Sequence, residues 1–177
     1  MNTETYTLKH FNNTLDVFLS EEKLYTSKWF MDFGKFGSEV FNSKDEIVYH
    51  ITKKFKFWKW KMVFTIKNEN GILKELTSQN NKKTIYSIII ENQTYTIKIH
   101  YKKRFSIFKN GDKIAEIDAS FTHKNFQKTI KLQLLDRKDL EISFLLFSCL
   151  KIGEVEERSK AIITSQKQLE INIEPWD

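Results

Sequence analysis

Proline occurs once and glycine five times in 177 residues, which excludes a collagenous, linker-rich or disordered chain. A single cysteine, Cys149, excludes an internal disulfide framework. No apolar run is long enough for a membrane-spanning helix. The longest, Leu140 to Ile152, covers about 20 Å at helical rise against a hydrocarbon core of about 30 Å. The first residues, MNTETYTLKHFNN, carry no apolar segment behind a basic start, so no signal peptide is expected and the cytoplasm is the default compartment. An excess of one charge is small: 29 basic residues stand against 23 acidic ones, a net +6. That is a mild bias toward anionic partners, well short of a nucleic-acid-binding tail.

Catalytic signatures are missing as well. His10, His50, His100 and His123 show no metal-ligand spacing, and no glycine-rich phosphate loop is present. Cys149 has no basic neighbour to lower its pKa and reads as a small buried thiol. Asp16 with Glu21, and Glu154 with Glu156, lie in polar stretches and read as solvated charge rather than as acid and base. No cofactor, no metal and no enzymatic activity are expected.

What the chain does have is apolar bulk, with 40% hydrophobic residues and fifteen phenylalanines, ample for the core of one domain. From Trp29 onward a unit recurs: strand, polar turn, strand. Its copies are Val40–Phe41 with Ile47–Ile51, Val63–Ile66 with Ile72–Leu76, Ile85–Ile90 with Tyr95–Tyr101, and Phe105–Phe108 with Ile114–Ala119. The turns between them are rich in Asn, Asp, Gly and Lys, residues that accept the positive φ of short hairpin connections. Tyr95, Ile97, Ile99 and Tyr101 alternate with Thr94, Thr96, Lys98 and His100, the pattern of a half-buried strand. Ile130, Leu132 and Leu134 give a last strand. Such spacing predicts a barrel or sandwich. Phe64 to Leu76 and Phe105 to Ile117 share the positions of several apolar, Gly and Glu residues, which suggests a repeated hairpin.

Before Trp29 two readings stand. Tyr6, Leu8 and Phe11 fit an edge strand, while Leu15, Phe18, Leu19 and Leu24 fit a short amphipathic helix. The alternation changes phase within KKFKFWKWK, Lys53 to Lys61. Ile51, Phe55 and Phe57 are odd-numbered, whereas Trp58, Trp60, Met62 and Phe64 are even. A tight turn or bulge near Phe57–Trp58 is therefore required, and it sends Lys54, Lys56, Lys59 and Lys61 to one wet side with the Trp rings inward.

Leu140 to Ile152, LEISFLLFSCLKI, would be apolar nearly all round as a helix and so has to be enclosed. Asp136 or Asp139 can cap its start, Lys151 sits in the last turn and Gly153 follows as a stop. Leu140, Ile142, Phe144 and Leu146 also alternate, so a strand over 140–147 is the competing reading. The tail beyond Gly153 is charged and then alternates at Leu169, Ile171 and Ile173, a closing strand or a surface tail pinned by Trp176. Residues 1–177 are read as one domain, with barrel and helix at about 24–153 and with 1–23 and 154–177 peripheral.

Val40 to Ile51, Val63 to Leu76, Arg104 to Ile117 and Gln133 to Gly153 together resemble the tubby C-terminal-like superfamily. That superfamily takes in tubby, the phospholipid scramblases and the LURP-one-related proteins. The resemblance implies a mainly β fold, a closed antiparallel barrel of about twelve strands wrapped around a buried C-terminal helix at about 139–152. It also implies binding of phosphoinositide head groups through basic residues. The chain lacks a proline-rich N-terminal arm and a scramblase-like calcium-binding stretch, so the fold is implied and scrambling is not.

The residues with a functional argument are Lys53, Lys54, Lys56, Lys59 and Lys61 in one cluster and Lys102, Lys103 and Arg104 in a second. If the fold brings both to one rim, each cation contributes about 1 kcal/mol near an anionic membrane, and Trp58 or Trp60 can sit at the interface as amphipathic rings prefer. The bland alternative is that these lysines solubilise the barrel and protect its strand edges. Docking on anionic lipid or phosphoinositide is the expected function. A single-stranded nucleic-acid binder, less favoured because the Trp phase points inward, a protein-interaction scaffold and a hollow barrel carrying an apolar ligand are the alternatives. The abundance of Lys, Asn and Ile suggests a low-GC bacterial coding sequence.

Overall fold

In a computed structural model, which describes residues 3–120 and 128–153, the alternating segments form twelve strands. They are β1 (Glu4–Phe11), β2 (Thr14–Leu19), β3 (Glu22–Asp32), β4 (Lys35–Asn42), β5 (Ile47–Lys56) and β6 (Lys61–Asn68). β7 (Leu73–Ser78), β8 (Ile85–Ile90), β9 (Gln93–Ile99), β10 (Arg104–Lys109), β11 (Asp112–Asp118) and β12 (Lys128–Leu134) follow. Each pairs antiparallel with its neighbours in sequence. β12 returns to β1, with Tyr6 opposite Leu132 and Leu8 opposite Ile130, so the sheet closes into a barrel without a free edge.

The greasy segment is a helix, α1 (Leu140–Lys151), and not a strand. Phe144, Leu145, Leu146, Phe147 and Cys149 are almost wholly buried, in one core with inward residues such as Leu8, Val17, Ile97, Ile117 and Leu132. Phe144 stacks on Tyr25 at 5.9 Å and Phe147 meets Phe105 edge-on at 5.1 Å. Some polar groups of α1 are answered by the wall and some within the helix. Glu141 accepts from the hydroxyls of Tyr25 (3.0 Å) and Tyr49 (2.6 Å), and the Ser148 hydroxyl donates to the Phe144 carbonyl (2.8 Å). At the other end Lys53 Nζ donates to the Ile152 carbonyl at 2.6 Å, a cation placed where the helix dipole is negative. Asp136 caps the single 3-10 turn that leads into α1, accepting from the Lys138 N–H at 2.9 Å. Asp139 instead receives Lys109 Nζ at 3.1 Å.

Two sequence expectations are corrected here. Residues 3–23 are not peripheral: β1 and β2 are staves of the barrel, and Tyr6, Leu8 and Val17 are fully buried. Nor is there a helix over Leu15–Leu24. Phe18 lies on the outer face with Lys9 Nζ 4.5 Å from its ring centre, and Leu24 is the extra residue of a bulge where Val17–Tyr25 pairing steps to Phe18–Lys23. One outward ring and one bulge residue were enough to mimic helical spacing. The same device adds Val48 in β5 and Ile114 in β11, whereas the β6–β7 and β8–β9 hairpins pair without a bulge. Residues 154–177, with the alternation at 169–173, and His123 lie outside the described residues.

Candidate functional site

Consecutive antiparallel strands put alternate connections at opposite ends of the barrel. Connections 12–13, 33–34, 57–60, 79–84 and 100–103, and the start of 119–127, share one end. Every charged residue in them, among the described residues, is a lysine: Lys59, Lys82, Lys83, Lys102 and Lys103. The connections at the opposite end carry Glu21, Asp45, Glu46, Glu69, Glu91, Asp136 and Asp139 against Lys44, Arg137 and Lys138. The molecule therefore has a charge axis that the modest net charge hides.

Both lysine clusters expected from the sequence fall at the basic end, with connection 79–84 between them. The arc is continuous. Lys83 Nζ lies 4.3 Å from the Phe55 ring centre, and the Ile99 N–H donates to the Thr84 carbonyl at 2.8 Å. The individual side chains differ in what they are free to do. Lys54 and Lys59 are exposed and make no hydrogen bond or ion pair among the described residues, and neither does the half-buried Lys61. Lys102 and Lys103 are exposed at positive φ (56° and 60°), with Lys102 5.9 Å from the Tyr101 ring centre. Lys56 is exposed but paired with Glu75 at 3.0 Å. Arg104 is half-buried with its Nε 3.7 Å from Asp118, and Lys53 is committed to the helix terminus.

The break near Phe57–Trp58 is a 3-10 turn, Phe57–Lys59, closed by the Trp60 N–H on the Phe57 carbonyl at 3.1 Å. The expectation that the Trp rings point into the core is overturned: Trp58 is 96% exposed and Trp60 61%. The reason is height rather than phase. β5 last pairs with β4 at Lys53–Phe36, yet β5 and β6 continue through Lys54–Val63, Phe55–Met62 and Lys56–Lys61. Three extra ladder pairs lift the turn by about 10 Å, past the core that would have covered it. Phe55, Phe57, Trp58 and Trp60 contact one another instead, with ring centres 5.5–6.5 Å apart. The adjacent β3–β4 turn exposes Met31 and Phe33, the latter at 99%. No local pattern flagged Phe33.

Other chemistry is thin. Among the described residues no group of three His, Cys, Asp or Glu side chains is placed to hold a metal. His100, expected on the wet face, is buried, and His50 is 3.4 Å from Glu39. Burial pushes the Cys149 thiol well above its ordinary pKa, so it carries no thiolate. The barrel interior, where an apolar cargo would lie, is occupied by α1. A cleft of 310 Å³ between Leu24, Tyr25, Asn42, Ser43, Arg137, Lys138, Leu140 and Glu141 opens at the acidic end. No described helix is long and apolar enough to cross a membrane.

A family model described as Tubby C-terminal like domain matches residues 2–153. No curated protein and no solved structure gives a significant match to the chain.

Proposed function

Because the chain belongs to the Tubby C-terminal like domain family, we propose that it is a non-enzymatic barrel that docks, basic end first, on anionic membrane lipid such as phosphoinositide. The observation that carries this conclusion is the sorting of charge by connection, with lysines alone at one end and mostly carboxylates at the other. A ring of hairpin tips meets a plane, and a bilayer is a plane. The cations available for head groups are Lys54, Lys59, Lys61, Lys83, Lys102 and Lys103, with Lys56 shared with Glu75. Lys53 and Arg104 drop out of the docking set because their contacts are internal. In a cell the anionic surface required is the cytoplasmic leaflet.

Exposed rings among lysines also suit the stacking of single-stranded nucleic acid, and this is the second reading. It is less favoured because the exposed rings, Phe33, Phe57, Trp58 and Trp60, are gathered on two adjacent turns and are not spaced along a track for successive bases.

Co-sedimentation with vesicles of phosphatidylcholine alone, and with phosphatidylserine or a phosphoinositide added, separates the two beside a single-stranded oligonucleotide shift. Binding to the anionic vesicles that weakens from 0.05 to 0.3 M salt is the expected result, since the Debye length shrinks to a few ångströms over that range. Salt-sensitive binding to the oligonucleotide alone would transfer the basic end to nucleic acid. Binding to neither would leave a protein-interaction scaffold.

A further inference from the structure

Two turns at the basic end break a local rule that the other described residues obey. Non-glycine residues at positive φ at the acidic end are Ser20, Asp45, Glu91, Asn92 and Asn110, all polar. At the basic end Phe33 (φ 43°) and Trp60 (φ 47°) occupy the same left-handed region. A bulky ring there is disfavoured by contact between its Cβ and the backbone, and Asn or Gly is the usual occupant. Stability does not repay it through burial, because Phe33 is 99% exposed and Trp60 61%. Departures from local preference with no stabilising return belong to functional surfaces.

The two turns are neighbours, since β4 pairs with β5, and both project from the end of the barrel. Each presents apolar side chains next to a cation. Lys59 sits between Trp58 and Trp60; on the other turn Lys35 follows Phe33–Gly34, and the exposed Asp32 lies between Met31 and Phe33. Rings with flanking lysines match the boundary between acyl chains and head groups, where aromatic residues settle and long cations reach back to phosphate. The overhang of the β5–β6 turn past its last pair with β4, about 10 Å, reaches the upper end of the roughly 5–10 Å at which interfacial segments bury their apolar faces.

We propose that the β3–β4 and β5–β6 turns are a pair of apolar wedges that enter the outer part of the bilayer, Phe33 and Met31 on one and Phe57 and Trp58 on the other. This rests on the docking conclusion above and adds to it. The lysines bring the barrel to an anionic surface. The wedges hold it there and stand the barrel axis upright. Two wedges on adjacent hairpins also favour bilayers with loosely packed head groups, where rings enter at lower cost.

Phosphatidylcholine–phosphatidylserine vesicles with acyl chains brominated near the carbonyl provide the test, because bromine quenches tryptophan only on close approach. Wild-type protein is expected to show quenching, and a fraction that stays bound at 0.5 M salt. Trp58→Ser and Phe33→Ser should each weaken that salt-resistant fraction roughly tenfold, with the melting temperature unchanged and salt-sensitive binding retained. Salt-sensitive binding without quenching, or with the two variants behaving as wild type, would overturn the wedges and leave the docking intact. Quenching on purely neutral vesicles, with no gain from phosphatidylserine, would support the wedges and remove the electrostatic docking. Absence of binding to every vesicle would end both.

Discussion

Phe33 is the residue at which stability and surface chemistry pull apart. Its ring is in solvent, so replacing it forfeits no burial, while its φ of 43° is one that Asn adopts with less strain. Phe33→Asn is expected to raise the free energy of unfolding by about 1 kcal/mol, read from the urea midpoint at constant slope. A lower midpoint would mean that the ring covers part of the barrel. Buried tyrosines make a second prediction. Burial first, and then Glu141, pushes the Tyr25 hydroxyl up to about 12, and Tyr49 moves in the same direction for the same reasons. Tyr6 and Tyr86 also rise to about 12, chiefly through burial. The folded values lie above the unfolded value near 10, so the protein holds these protons more tightly than the open chain does. Their stabilisation is complete below about pH 10 and is lost as pH climbs toward 12. Urea midpoints should therefore hold level up to about pH 10 and then fall. The Tyr25→Phe, Tyr49→Phe double variant should start lower and fall less steeply. An identical slope in both proteins would show that these hydroxyls are not what titrates.

Among the elements, β1 carries the clearest test of how the barrel is closed. It bonds to β12 on one side and β2 on the other, and Tyr6 and Leu8 are wholly buried. Deleting residues 1–13 should abolish the cooperative thermal transition followed by near-ultraviolet circular dichroism. A peripheral segment would leave that transition in place. The sequence made strands such as Gln93–Ile99 and Asp112–Asp118 plain, because their alternation runs unbroken between turn residues. β2 and β3 were obscure because the Leu24 bulge and the outward Phe18 spoil the period. The helix was legible from density of apolar residues, and its enclosure follows from the barrel that must surround it. At the candidate site the lysines were legible, and Trp58 or Trp60 at an interface was one reading of the sequence, but Phe33 and Met31 were not legible. Parity gave the inward phase of Phe55 and Trp60, but how far a hairpin outruns its neighbours depends on the lengths of β4 and β7, which no local window contains. Lys53 could have been read correctly, since it shares parity with Ile51 on the inner face.

On the scale of the whole molecule, the fold converts a sequence with intermingled charges into one with a direction. Strand order fixes which turns share an end, so lysines more than forty residues apart, Lys59 and Lys102, join one surface while the carboxylates of Glu21, Asp45, Glu69 and Glu91 collect on the other. That separation orients the barrel in the field of an anionic surface before any contact is made. It also explains how a chain of only +6 net charge can present a strongly basic face. The most direct measurement compares charge reversal at the two ends in salt-dependent vesicle co-sedimentation. Lys54→Glu, Lys59→Glu, Lys102→Glu and Lys103→Glu together alter four cations at the basic end with no ion pair among the described residues; Lys23→Glu, Lys44→Glu and Lys138→Glu alter the acidic end. At about 1 kcal/mol for each lysine, the first set should weaken binding to phosphatidylserine vesicles by about a thousandfold or more, with the thermal midpoint preserved, while the second leaves binding near wild type. Equal losses from the two sets, or none from the first, would contradict the assignment of the lysine end as the docking face.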